Sequence, residues 1–266
     1  MSGNILLAEA DVAGLAERLD RAQRERTEID RLTAEYPDLT VDQSYAIQLA
    51  LIQLRERRGD PVVAMKAGLT SKAKQVAMGV HEAIYGHICE SMVLEEGEPL
   101  VTRELIHPRA EPEVAFILGA DLRGPGVTVG QVLEATQELA PAIEVIDSRY
   151  RNFDFGLADV IADNASSARV VLSNQRVSPA GIDLRLMGMV FEKNGEIMET
   201  GAGAAVLGNP AYAVAWLANK LAERGSYLRA GGFVMPGALS NAHAAAPGDE
   251  IRVSFDRMGT LVLRCV

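Results

Sequence analysis

The sequence has little cysteine and little positive charge. Its two cysteines, Cys89 and Cys265, provide neither a disulfide framework nor the spacing of a zinc site, so we expect reduced thiols in the cytoplasm. Lysine and arginine number 26 against 36 aspartate and glutamate residues, a net charge of −10, and there is no basic run. This charge argues against a nucleic-acid or anionic-membrane partner.

Long apolar runs and histidine clusters are also missing. No stretch approaches the roughly 18 uninterrupted apolar residues of a membrane span, so we expect no membrane association. The first residues lack the positive and apolar regions of a secretory signal. The four histidines are scattered without metal-ligand spacing. Apolar residues still make up 48% of the chain, enough for a substantial core.

The N-terminal part has the pattern of helices. Residues 4–58 are predicted to be helical, with helices near 8–22 and 42–58, the second capped within residues 41–44. A short strand is expected at residues 61–65 and a short helix at 71–78. We therefore divide the chain into an N-terminal helical region, 1–60, and a β-rich catalytic domain, 61–266.

From about residue 90, short apolar runs alternate with Gly and Pro. Residues 193–196 carry the Asn-Gly signal of a tight hairpin, and the Gly-rich residues 201–205 favour close backbone packing over a phosphate loop. This mixture predicts an α+β domain. We predict helices at residues 128–139 and 210–224, and strands at residues 112–118, 141–147, 168–172, 186–192, 232–235 and 250–264.

Three carboxylates lie within two of the predicted strands. Glu111 and Glu113 are two residues apart, so their side chains share one face of a strand, and Glu144 lies inside the next apolar run. Carboxylates together in apolar surroundings repel each other unless a hard divalent cation compensates them. The pattern fits a Mg²⁺ or Mn²⁺ site, although a solvated strand face would also place two Glu residues at this spacing.

Two other polar features have two interpretations each. Lys66 lies among small and apolar residues at a predicted strand end, where it could be a partly desolvated catalytic lysine or a surface lysine. Residues 163–167 form a polar cluster that fits either a turn with Asx hydrogen bonds or a site that orients a substrate carboxylate. Local sequence leaves both questions open.

Ten short motifs, within a stretch that runs from about residue 30 to the C-terminus, together carry a resemblance to one known family. The chain resembles the 2-hydroxypentadienoate hydratase and 4-oxalocrotonate decarboxylase family of the fumarylacetoacetate hydrolase-like superfamily. The motifs lie at residues 66–71, 78–80, 85–86, 108–113, 124–126, 144–149, 162–166, 192–195, 201–205 and 216–219.

The resemblance implies a rolled, highly twisted β-sheet with an N-terminal helical region. It implies Mg²⁺ or Mn²⁺ held by Glu111, Glu113 and Glu144, in agreement with the strand pattern. It also makes Lys66 a catalytic residue. The substrate-binding residues that it implies are Gly68, Leu69, Ile84, Asn164 and Ser166.

The family contains two activities, and the residues of this chain favour one of them. Hydratases of the family typically carry Asp two positions before the Gly of a Tyr-Gly or Phe-Gly pair, where this chain has Ile84. Residues 147–155 resemble the decarboxylases, and Arg169 would serve a second substrate carboxylate. Residues 69–72 look more like hydratases, and Pro236 stands where both usually have Thr or Ser.

The resemblance therefore implies a metal-dependent lyase of aromatic meta-cleavage catabolism that acts on a small 2-oxo-enoate. The expected reaction is decarboxylation of 2-oxo-3-hexenedioate (4-oxalocrotonate) to 2-hydroxypenta-2,4-dienoate and CO₂. The alternative is hydration of that dienoate to 4-hydroxy-2-oxopentanoate. Acylpyruvate hydrolysis and a non-catalytic role are more distant alternatives. The resemblance also implies a homo-oligomer and a complex with the sister hydratase.

Overall fold

The computed structural model describes residues 8–77 and 79–266, without the side chains of residues 74 and 77. The predictions for residues 4–7 and for Met78 lie outside these ranges. Helices and strands are interspersed, so the α+β prediction is confirmed. The described α-helices are α1 (Glu9–Glu25), α2 (Leu32–Glu35), α3 (Val41–Arg57), α4 (Lys72–Ala77), α5 (Val129–Ala135), α6 (Leu157–Ala162) and α7 (Pro210–Ala222).

The strands form two sheets. The described strands are β1 (Val62–Gly68), β2 (Ile84–Cys89), β3 (Val93–Leu94), β4 (Arg109–Leu118), β5 (Thr136–Ile146), β6 (Ser167–Leu172), β7 (Gly188–Lys193), β8 (Glu196–Ala202), β9 (Phe233–Met235), β10 (His243–Ala244), β11 (Glu250–Phe255) and β12 (Gly259–Arg264). The larger sheet has eight strands in the order β2-β1-β9-β4-β5-β6-β3, with β10 paired to β4, and the smaller has the order β12-β11-β7-β8.

The N-terminal helices are confirmed and pack on the rest of the chain. Thr40, one residue before the predicted cap, closes the start of α3 through a reciprocal capping box with Gln43. Gln48 of α3 donates hydrogen bonds to the carbonyl oxygens of Tyr85, at 3.0 Å, and Ile161, at 2.8 Å. These bonds join α3 to β2 and α6. These hydrogen bonds cross the predicted boundary at residue 60, and the division into two domains stays a prediction.

Two predicted elements have the wrong extent. The helix predicted for residues 128–139 ends at Ala135, because Thr136 begins β5 and pairs with Leu118 of β4. The strand predicted for residues 250–264 is a hairpin, with a turn at 256–258 in which Arg257 has a φ of 60°. Tertiary pairing overrides local propensity in both places. Strand β2 and helix α6 were not predicted.

Two predictions about turns and glycines are confirmed. Asn194 and Gly195 join β7 to β8 with φ values of 55° and 82°, as an Asn-Gly hairpin requires. A Cβ on Gly203 would lie 1.7 Å from the Leu184 carbonyl oxygen, so this Gly-rich segment serves close backbone packing. No helix in the described ranges has the length and apolar character needed to cross a membrane.

Candidate metal and catalytic site

The long antiparallel pair β4–β5 brings the three glutamates together. Glu111 is directly opposite Glu144, and Glu113 lies two residues further along the same face of β4. Glu113 is completely buried, and Glu144 and Glu111 are nearly so. One carboxylate oxygen from each residue lies within 4.8 Å of those of the other two. This arrangement matches the oxygen-ligand set of a hard divalent cation.

Lys66 of β1 contributes a buried positive charge to the same place. Its Nζ lies 2.6 Å from Glu144 Oε1 and donates a 3.0 Å hydrogen bond to the Ala165 carbonyl oxygen. Only 3% of the lysine is exposed, so the interpretation as a surface lysine is wrong. The Lys66 ammonium alone cannot balance three ionised carboxylates.

Two of the three carboxylates, Glu113 and Glu144, are poorly compensated by the residues that the structure describes. Burial raises the pKa of the Glu113 carboxyl well above its usual range, and the Glu144 carboxylate raises it further. Burial also raises the pKa of Glu144, although Lys66 opposes that shift. Among the described residues, no hydrogen-bond donor reaches Glu113 Oε1 or Glu144 Oε2. Buried, electron-rich oxygens without donors are what a bound cation would satisfy.

A narrow cavity of about 30 Å³ ends at the carboxylates and is lined by residues 66–71, Gly237 and Ala238. The Gly237 N–H donates a 2.8 Å hydrogen bond to Glu113 Oε2. Gly237 has a φ of 117°, and a Cβ there would lie 1.9 Å from Thr70 Oγ1, so no other residue fits without a shift. The Pro-Gly pair after a strand signals such a turn, but sequence reasoning did not include Gly237 in the site. A cavity of about 500 Å³ elsewhere contains none of the three carboxylates.

The predicted substrate-binding residues fall into two groups. Gly68 and Leu69 line the cavity, and Ile84 packs behind Gly68, where a Cβ would lie 3.1 Å from Ile84 Cγ1. Asn164 and Ser166 do not line it. The Asn164 amide exchanges two 2.8 Å hydrogen bonds with the backbone of His87, and Ser166 Oγ lies 3.5 Å from Asp163.

These contacts make residues 163–167 a structural turn, the first of their two interpretations. Asn164, Ala165 and Ser166 all have positive φ, and the turn aims the Ala165 carbonyl at Lys66. The buried Arg149 guanidinium holds the turn by bonding to the Asp163 carboxylate and carbonyl. Burial raises the pKa of Asp163 to about 6 although Arg149 opposes the shift. A direct role of Asn164 and Ser166 in substrate binding stays a prediction.

The suggestion that Arg169 meets a second substrate carboxylate is wrong for this structure. Its guanidinium lies 3.5 Å from Glu104 Oε2 and does not line the cavity. The reason is the alternation of side chains along a strand. Val170 pairs with Glu144 and shares its face of the sheet, so the neighbouring Arg169 side chain projects from the other face.

Comparison with known proteins agrees with this fold and site. The model of the fumarylacetoacetate hydrolase C-terminal family matches residues 62–266. The chain is 45% identical to a 4-oxalocrotonate decarboxylase of Pseudomonas sp. (strain CF600), over 99% of this chain and 100% of that protein. It is 41% identical to a 2-hydroxyhexa-2,4-dienoate hydratase of Comamonas testosteroni, over 92% and 93% of the two chains.

A solved structure supports the same assignment. The 4-oxalocrotonate decarboxylase from Pseudomonas putida G7, complexed with magnesium and adipate, superposes with a TM-score of 0.96 at 41% identity. The match covers 99% of this chain and 100% of that one, which confirms the predicted rolled sheet with its N-terminal helical region. The chain therefore belongs to the fumarylacetoacetate hydrolase C-terminal family, and within it to the group of 4-oxalocrotonate decarboxylases and 2-hydroxydienoate hydratases.

Proposed function

We propose that this protein is a Mg²⁺- or Mn²⁺-dependent lyase that decarboxylates 2-oxo-3-hexenedioate to 2-hydroxypenta-2,4-dienoate and CO₂, a step of aromatic meta-cleavage catabolism. The observation that carries the proposal is the buried cluster of three glutamates with Lys66 at the end of one cavity. The 45% identity to a 4-oxalocrotonate decarboxylase and the magnesium in the superposed relative support the same activity.

The three glutamates would hold the cation. When bound, it supplies Lewis acidity to the 1-carboxylate and 2-oxo group of the substrate and draws negative charge toward the 2-oxo oxygen. In the reaction, the electron pair of the bond to the departing carboxylate moves through the conjugated chain to that oxygen, which then takes one proton. CO₂ leaves, and the enol of the dienoate remains.

Lys66 is the residue that manages this proton. Its ammonium is fixed by Glu144 on one side and by the Ala165 carbonyl on the other, so Nζ has a defined position beside the metal ligands. From there Nζ would donate a hydrogen bond to the 2-oxo oxygen and deliver the proton as negative charge develops. Fixing the donor beforehand avoids reorganisation during the reaction.

The walls around Lys66 favour loss of CO₂ over addition of water. Leu69 and Ala238 line the cavity, and the buried Ile84 packs behind Gly68 where family hydratases have Asp. An apolar wall desolvates a departing carboxylate and offers no acid to activate water.

The setting of the enzyme forms part of the proposal. We propose a homo-oligomer that also associates with the sister hydratase, and a cytoplasmic location, in which the buried thiols of Cys89 and Cys265 stay reduced. We also keep the division into an N-terminal helical region, 1–60, and a catalytic domain, 61–266.

A paired assay with Mg²⁺ tests the activity. One arm supplies 2-oxo-3-hexenedioate and measures CO₂, and the other supplies 2-hydroxypenta-2,4-dienoate and measures loss of its ultraviolet absorbance. We expect CO₂ release with a stable dienoate. Consumption of the dienoate without CO₂ release from the diacid would replace our proposal with the hydratase, which the 41% identity to a hydratase and residues 69–72 favour.

A further inference from the structure

Gln75, on the short helix α4, is a buried polar residue that the proposed mechanism does not use. Only 3% of it is exposed, and its Nε2 donates a 2.9 Å hydrogen bond to the carbonyl oxygen of Leu69. Leu69 has a φ of 54°, which is uncommon for a residue other than Gly. Such a strained backbone persists only where the surrounding structure fixes it. Gln75 is therefore one of the groups that hold Leu69 in this conformation.

The hydrogen bond from Gln75 also fixes the direction of the next N–H group. The peptide bond between Leu69 and Thr70 is trans, so its carbonyl and its N–H point in opposite directions. The Thr70 N–H thus points away from Gln75. The rest of Thr70 is held as well, because its carbonyl oxygen accepts a 2.9 Å hydrogen bond from the Leu207 N–H and its side chain packs against Gly237.

The Thr70 N–H is a buried donor beside the catalytic cavity. Thr70 is 3% exposed, and its N–H has no hydrogen-bond acceptor within the part of the chain that the structure describes. Buried N–H groups without an acceptor are rare in proteins. Thr70 lines the cavity that ends at Lys66 and the three glutamates. A ligand in this cavity can therefore supply the acceptor.

We propose that Gln75 is a positioning residue, which turns the Leu69–Thr70 peptide so that the Thr70 N–H donates a hydrogen bond to the 1-carboxylate of the substrate. The inference deepens the proposed function and rests on it. A carboxylate is a strong acceptor because the hydrogen bond is charge-assisted. Lys66 serves the neighbouring 2-oxo oxygen, so the two donors hold one end of the substrate. Both sister reactions share this end, and the contact positions the substrate without selecting the reaction.

Equilibrium binding of 2-oxopentanoate, an unreactive 2-oxo acid, to the Mg²⁺-loaded protein tests the positioning role. Gln75→Met keeps the length of the side chain but removes its donor. We expect it to weaken 2-oxopentanoate binding by about threefold to tenfold, since one hydrogen bond to the ligand is misaligned, and to leave the affinity for Mn²⁺ within about twofold. After Leu69→Gly, the further change Gln75→Met should weaken binding by less than about twofold, because Gly adopts a positive φ without being held there.

The matched control is Asn219→Leu. The Asn219 amide also donates to a backbone carbonyl oxygen, that of Val127, at 3.0 Å, and Asn219 does not line this cavity. Its replacement should leave 2-oxopentanoate binding unchanged.

A second measurement needs no variant at position 75. In wild-type protein labelled with ¹⁵N-threonine, the amide proton resonance of Thr70, assigned with Thr70→Ser, should move downfield when 2-oxopentanoate is added.

The outcomes separate the inference from the proposed function. An unmoved Thr70 resonance, unchanged binding in Gln75→Met, or an equal loss from Gln75→Met with and without Leu69→Gly would overturn the inference and leave the proposed function standing. If 2-oxopentanoate does not bind the Mg²⁺-loaded wild-type protein, the proposed function fails together with the inference.

Discussion

Replacing Glu113 by Gln should have opposite effects on the metal-free and the metal-loaded protein. In the absence of a cation, Glu113 is a completely buried carboxyl beside two others, and among the described residues only the Gly237 N–H donates a hydrogen bond to it. Gln keeps the shape and an acceptor for that N–H but carries no charge. The variant should therefore be more stable than the wild type without metal, and should gain less stability than the wild type when Mg²⁺ is added.

The magnitude follows from the separation of the charges. Carboxylate oxygens within 4.8 Å repel each other by roughly 3 kcal/mol at an effective dielectric constant of about 20. The Lys66 ammonium, 2.6 Å from Glu144, offsets part of this, and we take about 2 kcal/mol as the net relief in the variant. For a chain of this size, that corresponds to a rise in Tm of about 4–8 °C in the metal-free state.

The pH dependence has a definite sign. Because the pKa of Glu113 is raised in the folded state above its ordinary value of 4.5, its stabilising contribution is full below that pH. The contribution is lost as the pH rises through the folded-state pKa. Metal-free wild type should therefore lose stability as the pH rises above 4.5, and Glu113→Gln should lose less.

Thermal unfolding with EDTA or with excess MgCl₂, carried out at about pH 5 and again at about pH 8, measures the effect. The control is Glu138→Gln, a half-exposed glutamate on β5 outside the cluster, which should change neither state appreciably. A metal-free Glu113→Gln protein that is less stable than wild type at about pH 8 would refute the reasoning, because the buried charges would then be compensated by the protein itself.

Three further predictions concern single side chains. Gly237→Ala should cost at least about 2 kcal/mol of folding stability and weaken Mn²⁺ binding, because its Cβ would meet Thr70. The control Gly97→Ala, at a φ of 95° in open space, should cost about 1 kcal/mol of folding stability without affecting the metal. Urea unfolding measures the stability, and electron paramagnetic resonance measures Mn²⁺ binding. Lys66→Met should abolish CO₂ release yet retain Mn²⁺ binding, and loss of both would contradict a proton-handling role. Thr40→Ala should cost about 1 kcal/mol in urea unfolding by removing the α3 cap, and an unchanged midpoint would contradict that.

The sequence predicts this fold best where periodicity is strong. The pattern of period two places Glu111 and Glu113 on one face of β4, and both side chains are buried there. The helix prediction for residues 128–139 fails at Thr136. Whether the chain stays helical there or joins a sheet depends on pairing with β4, which is distant in sequence. Strand β2 escaped prediction for the same reason, since it is defined by its pairing with β1.

The candidate site divides along a similar line. The three carboxylates and Lys66 can be recognised in the sequence because they are charged residues within apolar runs, where a buried charge needs a compensating partner. The groups that position them are mostly backbone: the Ala165 carbonyl and the Gly237 N–H carry no side-chain signature. Asn164 has such a signature, but its amide pairs with the backbone of His87, and composition alone cannot distinguish a structural amide from one that meets a substrate.

Decarboxylation and hydration would use the same charged groups, so these groups do not distinguish the two sister reactions. In our proposal both reactions use a cation at the three glutamates and Lys66 as the proton donor beside it. Arg149 and Asp163 help to fix Lys66, because they hold the turn that carries the Ala165 carbonyl. The wall of the cavity is then the feature that selects between decarboxylation and hydration. The apolar side chain of Ile84 offers no acid to activate a water molecule. Under this reasoning, Ile84, and not the metal ligands or Lys66, selects between the two reactions.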